Sequence, residues 1–329
     1  MILTRLAFRL ATAVVLALAA WGAGPAAGQQ PLSLPPPPQS PEPGPVEFDF
    51  RQASLPLELG PPDNELPLGL PATPAEVFEE PDVAVTFTWL PVGGRNGFGI
   101  ADFDWNRSWS WQVGEHPHPV MVTPGVGLHL WSGPQQLDLP PRVYDLYLDF
   151  SWRFLERDWW GIAGGLTPGF YGDFNRLDGK AFQLTGWLLG DWMLSERWSA
   201  VAGIAYVRQL QSNLLPVGGL IWRPNPELRF DLVIPRPRAA WLIAADETGE
   251  TWGFVSGAFA GGAWAVESGG ENFLVQYSDL RLAIGCECTG PGTIWTVEAG
   301  LAFSRDISVD HNSVRNPDST LFFQAGVQF

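Results

Sequence analysis

From Pro81 onward the apolar positions of this chain recur at every second residue, almost without interruption. In the segment YDLYLDFSWRF, Tyr144, Leu146, Leu148, Phe150, Trp152 and Phe154 share one side of an extended chain. Asp145, Tyr147, Asp149, Ser151 and Arg153 share the other. In IADFDWNRSWSW, Phe103, Trp105, Trp109 and Trp111 oppose Asp102, Asp104, Asn106, Ser108 and Ser110. The terminal STLFFQAGVQF sets Leu321, Phe323, Ala325, Val327 and Phe329 against Phe322, Gln324, Gly326 and Gln328. A period of two does not place an apolar stripe on a helix, so these segments are strands.

Runs bounded by Gly, Pro, Asn or charged clusters predict fourteen strands, near 82–90, 98–112, 120–131, 142–155, 159–171, 180–194, 198–210, 214–223, 227–235, 238–246, 251–266, 273–288, 293–305 and 319–329. The three around 214–246 are short and broken by Pro, which makes twelve the alternative count. The connections alternate between two kinds. Tight turns read LERDW, LSERW, RPNPE, DETGET and CTGPGT; longer ones read PVGGRNG, SGPQQLDLPPR, GDFNRLDG, ESGGEN and the loop from Asp306 to Asp318. Short turns on one rim and longer loops on the other are the asymmetry of a transmembrane antiparallel β-barrel. The connections near Gln211 and at PRPR are shorter than this scheme expects.

Tryptophan placement adds to this picture. With the first strand rising from the turn rim, Trp109, Trp111, Trp152, Trp159, Trp160, Trp192, Trp198, Trp222, Trp252 and Trp295 fall at the turn ends of their strands, as does Phe329; Trp89, Trp131 and Trp264 fall at the opposite ends. Indole rings favour the headgroup level of a bilayer, so two bands predict aromatic girdles. A soluble β-sandwich shares the alternation and is the competing reading. An even strand number returns both ends of the barrel to the periplasmic rim. A final strand ending on an aromatic residue is similar to the carboxy-terminal strand of bacterial outer-membrane proteins, which implies recognition by the barrel-assembly machinery.

Ahead of the alternating region stand two other materials. Residues 1–28 carry Arg5 and Arg9, an apolar run from Leu10 to Ala20 and a small-residue region: a secretory signal peptide, expected to be cleaved after Gly28, its apolar run being shorter than the ~20 residues of a membrane-spanning helix. No cysteine lies near that point to carry an N-terminal lipid anchor. Residues 29–81 are rich in Pro with scattered acids and read as a periplasmic linker or arm. The remaining 82–329 form the barrel. The net charge of −16 and a single lysine, Lys180, argue against a nucleic-acid partner, which needs a basic face.

The stretch NLLPVGGLIWRPNPELRFDLVIPRPRAAWLI, through Pro216, Gly218, Gly219, Trp222, Pro224, Pro235, Pro237 and Arg238, resembles an uncharacterised bacterial outer-membrane β-barrel family; GDFNRLDGKAFQLTGWLLG upstream also fits. The resemblance covers roughly residues 82 to 329. It implies the barrel fold and the outer membrane, and it brings no substrate or catalytic residue.

If the Trp- and Leu-rich faces meet lipid, the opposite faces send Asp102, Asp104, Asp145, Asp149, Asp191, Asp231, Asp279 and Glu298 inward, with Arg153, Arg229 and Arg281. A basic side chain on the lipid face at mid-bilayer costs about 2–4 kcal/mol. A lumen of this width is expected to hold water, and its surplus of carboxylates to favour cations. The leading expectation is therefore a pore for small solutes or ions, followed by a structural barrel that anchors a partner through the Pro-rich arm, and lastly an outer-membrane hydrolase. The histidines His116, His118, His129 and His311 repeat no known nucleophile pattern, and HPHP is a weak two-imidazole metal motif beside a Pro-stiffened turn. No enzyme activity, cofactor or metal is expected. Cys286 and Cys288 share one strand face near the turn rim, where a disulfide needs the strand to bend. The glycine pairs 164–165, 218–219 and 261–262 lie inside strands and mark bulges, bends or crowded wall contacts.

Overall fold

The computed structural model describes residues 83–329, apart from 95, 115–117, 134–138, 158, 176–178, 208–213, 247–248, 269 and 311. The signal peptide, the Pro-rich arm, Gln211, His116 and His311 lie outside the described residues. The elements, all strands, are β1 (Val83–Leu90), β2 (Gly99–Arg107), β3 (Trp109–Trp111), β4 (Val120–Ser132), β5 (Arg142–Arg157), β6 (Trp160–Gly172), β7 (Phe182–Ser195), β8 (Trp198–Tyr206), β9 (Leu214–Asn225), β10 (Leu228–Ile234), β11 (Arg238–Asp246), β12 (Gly249–Ser268), β13 (Glu271–Gly290), β14 (Thr293–Val309), β15 (Asn312–Arg315) and β16 (Thr320–Gln328).

Each strand pairs antiparallel with its neighbour, and the ends meet. β1 runs against β16 from Ala84↔Gln328 to Trp89↔Phe323, and Val83 and Phe329 exchange backbone hydrogen bonds of 2.9 and 3.0 Å. β14 joins β16 to β13. β3 prolongs β2 along β4 beyond Ser108, and β15 is a short hairpin on β14. The remaining fourteen strands close a barrel, the larger of the two expected counts. Closure leaves no sheet edge between first and last strand, so their amides and carbonyls find partners within the chain.

Burial follows the alternation with the sense of an inside-out protein. On β1, Phe87 and Trp89 are exposed while Thr86, Thr88 and Leu90 are buried. On β5, Leu146, Phe150 and Phe154 are exposed while Ser151 and Arg153 are buried. The outward face is apolar and the inward face carries the charges.

The phase is not uniform along β14. Trp295 and Leu301 point outward, but between Phe303 and Asp306 the register with β13 slips, and Ser304 takes φ 52°. This bulge reverses the parity. Arg305 and Ile307, which simple alternation places outward, turn inward and are 2% and 1% exposed.

β12 departs further. In its lower half Phe254 is buried and Val255 exposed, but the seven residues from Ala260 to Val266 are all buried. The cause is the length of its neighbour: β11 pairs with β12 only as far as Arg238↔Ser256, and the Gly257 amide donates to the Pro237 carbonyl. Above that level the freed edge of β12 reaches β6. Ala265 bridges Gly172, the Asp173 amide donates to the Ala265 carbonyl (3.1 Å), and Gln183 Nε2 donates to the Ala263 carbonyl (2.6 Å). Small residues make this possible. A Cβ on Gly172 would run into the Ala265 carbonyl, and Gly261 adopts φ 139° beside the Tyr277 carbonyl. The glycine pair at 261–262 is thus a crowded wall contact, one of the roles expected for it.

Upper β12 acts as a septum between two packed lobes. On one side Leu90, Ile100, Trp131, Tyr171, Trp264, Tyr277 and Phe322 belong to one core cluster; on the other, Leu189, Ala205, Val207, Val217 and Val233 form a second, with Phe259 packed against it. The ESGGEN connection, expected to be long, is a tight turn, because β12 and β13 continue pairing to Ser268↔Glu271.

Two outcomes test this architecture. Gly172→Val should cost about 1–3 kcal/mol through overpacking against β12, read as a lower unfolding midpoint in detergent; an unchanged midpoint would show that the septum contact is dispensable. Deleting Ser304 removes the extra residue and leaves Arg305 directly after outward Phe303, still inward, so the heat-modifiable barrel should assemble; inserting one more residue beside Ser304 should turn Arg305 outward and abolish assembly, whereas Ser304→Gly should assemble normally because glycine accepts positive φ.

Candidate functional site

The interior carries three polar groups of different character. The first lies on β2, β4 and β5, whose register aligns Asp102 with His129 and Asp104 with Gly127 and Asp145. His129 Nδ1 lies 2.7 Å from Asp102 Oδ1, and its Nε2 lies 2.9 Å from Asp145 Oδ2. Trp264 Nε1, arriving from the septum, donates to Asp145 Oδ1 at 2.7 Å, and its ring sits 5.0 Å from that of His129. Nearer the turn rim the Tyr147 hydroxyl donates to Asp104 (3.3 Å) and the Thr167 hydroxyl to Asp149 (2.5 Å). Asp145 and Asp149 are four residues apart on β5, roughly 13 Å along the strand. The inward phase of β5 and β2 therefore lines one wall with four carboxylates and a single imidazole.

Arginines are found with other acids. Arg153 Nη2 contacts both oxygens of Asp191 at 3.0 and 3.1 Å. Arg238 pairs with Glu287 at 3.0 Å, and Arg229 approaches Glu250 at 3.6 Å. Arg281 Nε donates to Asp279 Oδ1 at 3.0 Å, with both side chains buried. The third group extends from that pair: the Tyr277 hydroxyl donates to Asp279 Oδ2 (2.6 Å), Arg305 Nε donates to the Tyr277 oxygen (2.8 Å), and Arg305 Nη2 reaches the Phe98 carbonyl (2.6 Å). Buried charges are costly unless paired and hydrogen-bonded, and these are.

Of the residues expected to face inward, Arg153, Asp231, Asp279 and Arg281 are buried, and Asp102, Asp104, Asp145, Asp149, Asp191, Arg229 and Glu298 are half-buried. Asp231 and Asp279 are the most enclosed, at 2% and 0% exposure, and Glu298 accepts from Ser256 at 3.2 Å. The girdle holds less completely. Trp109, Trp111, Trp159, Trp198, Trp295 and Phe329 are exposed. Trp152, Trp160, Trp192 and Trp222 are half-buried on outward positions, where Trp222 stacks on Trp198 with centroids 5.2 Å apart. Trp252 does not belong to the girdle: it is 2% exposed, donates to Glu250 at 2.7 Å and lies under the Arg229 guanidinium at 3.9 Å. Its inward parity matches Phe254 and Ser256, and reading it by height on the strand alone misplaced it. The same correction applies to Trp131 and Trp264, which face inward and pack edge to face at 5.3 Å. Outward aromatics on the loop side are Trp89 and the Phe170–Phe182 pair.

Sequence reasoning missed Arg305, Arg238, Glu287 and Tyr277. Three of them were readable by parity: Arg238 lies two residues from inward Ala240, and Tyr277 and Glu287 share the odd phase of Asp279 and Arg281. Arg305 was not, because the Ser304 bulge leaves no mark in the hydrophobic pattern. Cys286 and Cys288 lie on the outward phase of Leu282 and Ile284 as free thiols, and the Thr251 hydroxyl donates to Cys288 Sγ at 3.8 Å. His118, the described histidine of HPHP, accepts a hydrogen bond at its carbonyl from Trp152 Nε1 (3.2 Å). Among the described residues no cluster of three or more His, Cys, Asp or Glu is arranged to hold a metal ion.

No family model and no curated protein matches this chain. Among solved structures it is similar to LpxR from Salmonella typhimurium, at 7% identity and TM-score 0.34 over 75% of this chain and 99% of that one. It is also similar to a mutant of Rh. blastica porin, at 8% identity and TM-score 0.27 over 75% and 97%, and to a structure described as "Asymmetric conductivity of engineered proteins", at 9% identity and TM-score 0.26 over the same shares. Likeness at this level carries no function to the chain, and the barrel assignment rests on its own strand pairing.

Proposed function

We propose that this chain is an integral barrel of the bacterial outer membrane that passes small cations along a narrow acidic wall, rather than a wide sieve for solutes. The membrane part is supported by the inverted polarity of the wall. Large apolar side chains such as Leu166, Leu188, Ile204, Leu232, Leu282 and Ile284 are 48–61% exposed around the outside, while aspartates and arginines point in. An apolar surface this extensive on a soluble protein would be an aggregation site.

The observation that carries the conduction reading is the division of charges inside. The arginines stand with Asp191, Asp279, Glu287 and Glu250, whereas Asp102 and Asp145 flank His129, and Asp145, Asp104 and Asp149 take hydrogen bonds from the neutral donors Trp264, Tyr147 and Thr167. A wall with that surplus stabilises a passing cation and repels an anion. Both ring nitrogens of His129 face carboxylates, which supports an electrostatic role over service to a nucleophile, and we propose no catalytic activity. The septum favours a second reading, a structural barrel that holds a periplasmic partner through residues 29–81, because β12 narrows the upper interior.

Detergent-purified protein should show heat-modifiable gel mobility; recovery as a monomer without detergent would overturn the membrane reading. In planar bilayers under a salt gradient, small channel events should reverse at potentials of cation preference. Asp145→Asn with Asp149→Asn, which keeps an acceptor oxygen at each position, should bring the permeability ratio toward unity. Silence from well-folded protein, or anion preference, would reject conduction. Deleting residues 29–81 should leave conductance intact on the first reading and release a periplasmic partner on the second.

A further inference from the structure

The outward wall near the turn rim is not evenly covered. β6, β7 and β8 align their outward residues in rows: Trp160 beside Trp192, then Ile162 beside Gly190 and Ala202, then Gly164 beside Leu188 and Ile204. The middle row carries no side chain at Gly190, beside which the Trp192 ring lies, and only a methyl at Ala202, whose next register partner on β9 is Gly218. The large residues of the rows above and below stand proud of it. The result is a groove of about 430 Å³, floored by Gly190 and Ala202 and walled by Trp160, Trp192, Leu188 and Ile204. That volume falls within the ~300–1,000 Å³ of small-ligand sites.

We propose that this groove holds one acyl chain of a phospholipid whose head group carries both a phosphate and an ammonium, a proposal that rests on the membrane reading above. The lining is apolar and belongs to the outward phase, so its surroundings in a bilayer are lipid tails. Barrel strands tilt about 35–45°, so a trough running across them descends obliquely through the leaflet, as a lipid chain does. The head group finds charges of both signs at the turns below. The β7–β8 turn reads Glu-Arg at 196–197, and Arg157 ends β5 at the same rim. Arg157, which is paired in register with Trp160, is exposed, as are Glu196 and Arg197. The guanidiniums suit a phosphate and the Glu196 carboxylate an ammonium, whereas a purely anionic head group would meet that carboxylate as well. Trp159 and Trp160, with centroids 6.1 Å apart, stand at the same level, where indoles favour the interface.

The test uses the full chain purified in detergent, exchanged into vesicles of equal phosphatidylethanolamine and phosphatidylglycerol, and released for native mass spectrometry. One phospholipid should stay bound per chain, with phosphatidylethanolamine enriched several-fold. Ala202→Trp, at an exposed position, should fill the groove and abolish the adduct without loss of heat modifiability; Ala202→Leu serves if the larger residue prevents folding. Arg157→Gln with Arg197→Gln should remove the head-group preference and leave the barrel intact. Three results would overturn the proposal: no adduct on the wild type, an equal adduct on the filled variants, or enrichment of phosphatidylglycerol. A wild-type dimer that Ala202→Trp dissociates, with no lipid retained, would assign the groove to a second copy and overturn it as well. Insertion into vesicles without lipid retention rejects the groove alone, whereas failure of the wild type to insert rejects the membrane reading beneath it.

Discussion

The structure depends on the antiparallel pairing of β1 with β16. A sheet of this size left open would present two rows of unpaired amides and carbonyls, which neither lipid nor a monomer in water tolerates well. Once the ring is closed, each strand has two faces of fixed sense, and a two-residue period sorts side chains into wall and lumen. Arg153, Asp231, Asp279 and Arg281 are inside for that reason, and being inside obliges them to find one another.

Closure does not require a round interior. The short β10–β11 hairpin withdraws backbone partners from β12 halfway up, and a strand edge deprived of its neighbour must pair elsewhere. β12 finds Gly172 on β6, and the sequence AFAGGAWAV accommodates the consequence, since residues buried on both faces of a strand need small or uniformly apolar side chains. The same step brings Trp264 to Asp145, so the wall carrying the aspartates is tied to the septum that narrows it. A difference in strand length is thus transmitted into the polar chemistry of the lumen.

Much of this was legible in the alternation. The fourteen strands, the inward phase of the set from Asp102 to Glu298 and the outward Leu and Phe positions follow from a period of two, because one face must be apolar wherever the other is polar; the length of the ESGGEN connection does not, since it depends on how far β12 and β13 pair. Aromatic residues were less legible. Trp131, Trp252 and Trp264 lie near strand ends like the girdle tryptophans, and position along the strand says nothing about face; parity with His129 and Phe254 does for the first two, while Trp264 lies where β12 is buried on both faces. Indole serves equally well at an interface and as a buried donor to a carboxylate, so residue type alone does not decide.

By itself the sequence determined which side of each regular strand is wet, since that information is local and repeats every two residues. Only the tertiary structure decided what breaks the repeat and what crosses the lumen. The bulge at Ser304, which turns Arg305 toward Tyr277, depends on the register between β13 and β14. The septum depends on where β11 stops relative to β12, and the meeting of Asp102, His129 and Asp145 depends on the stagger of three strands. Register is a sum of hydrogen bonds over whole strand pairs, and no single stretch of sequence contains it.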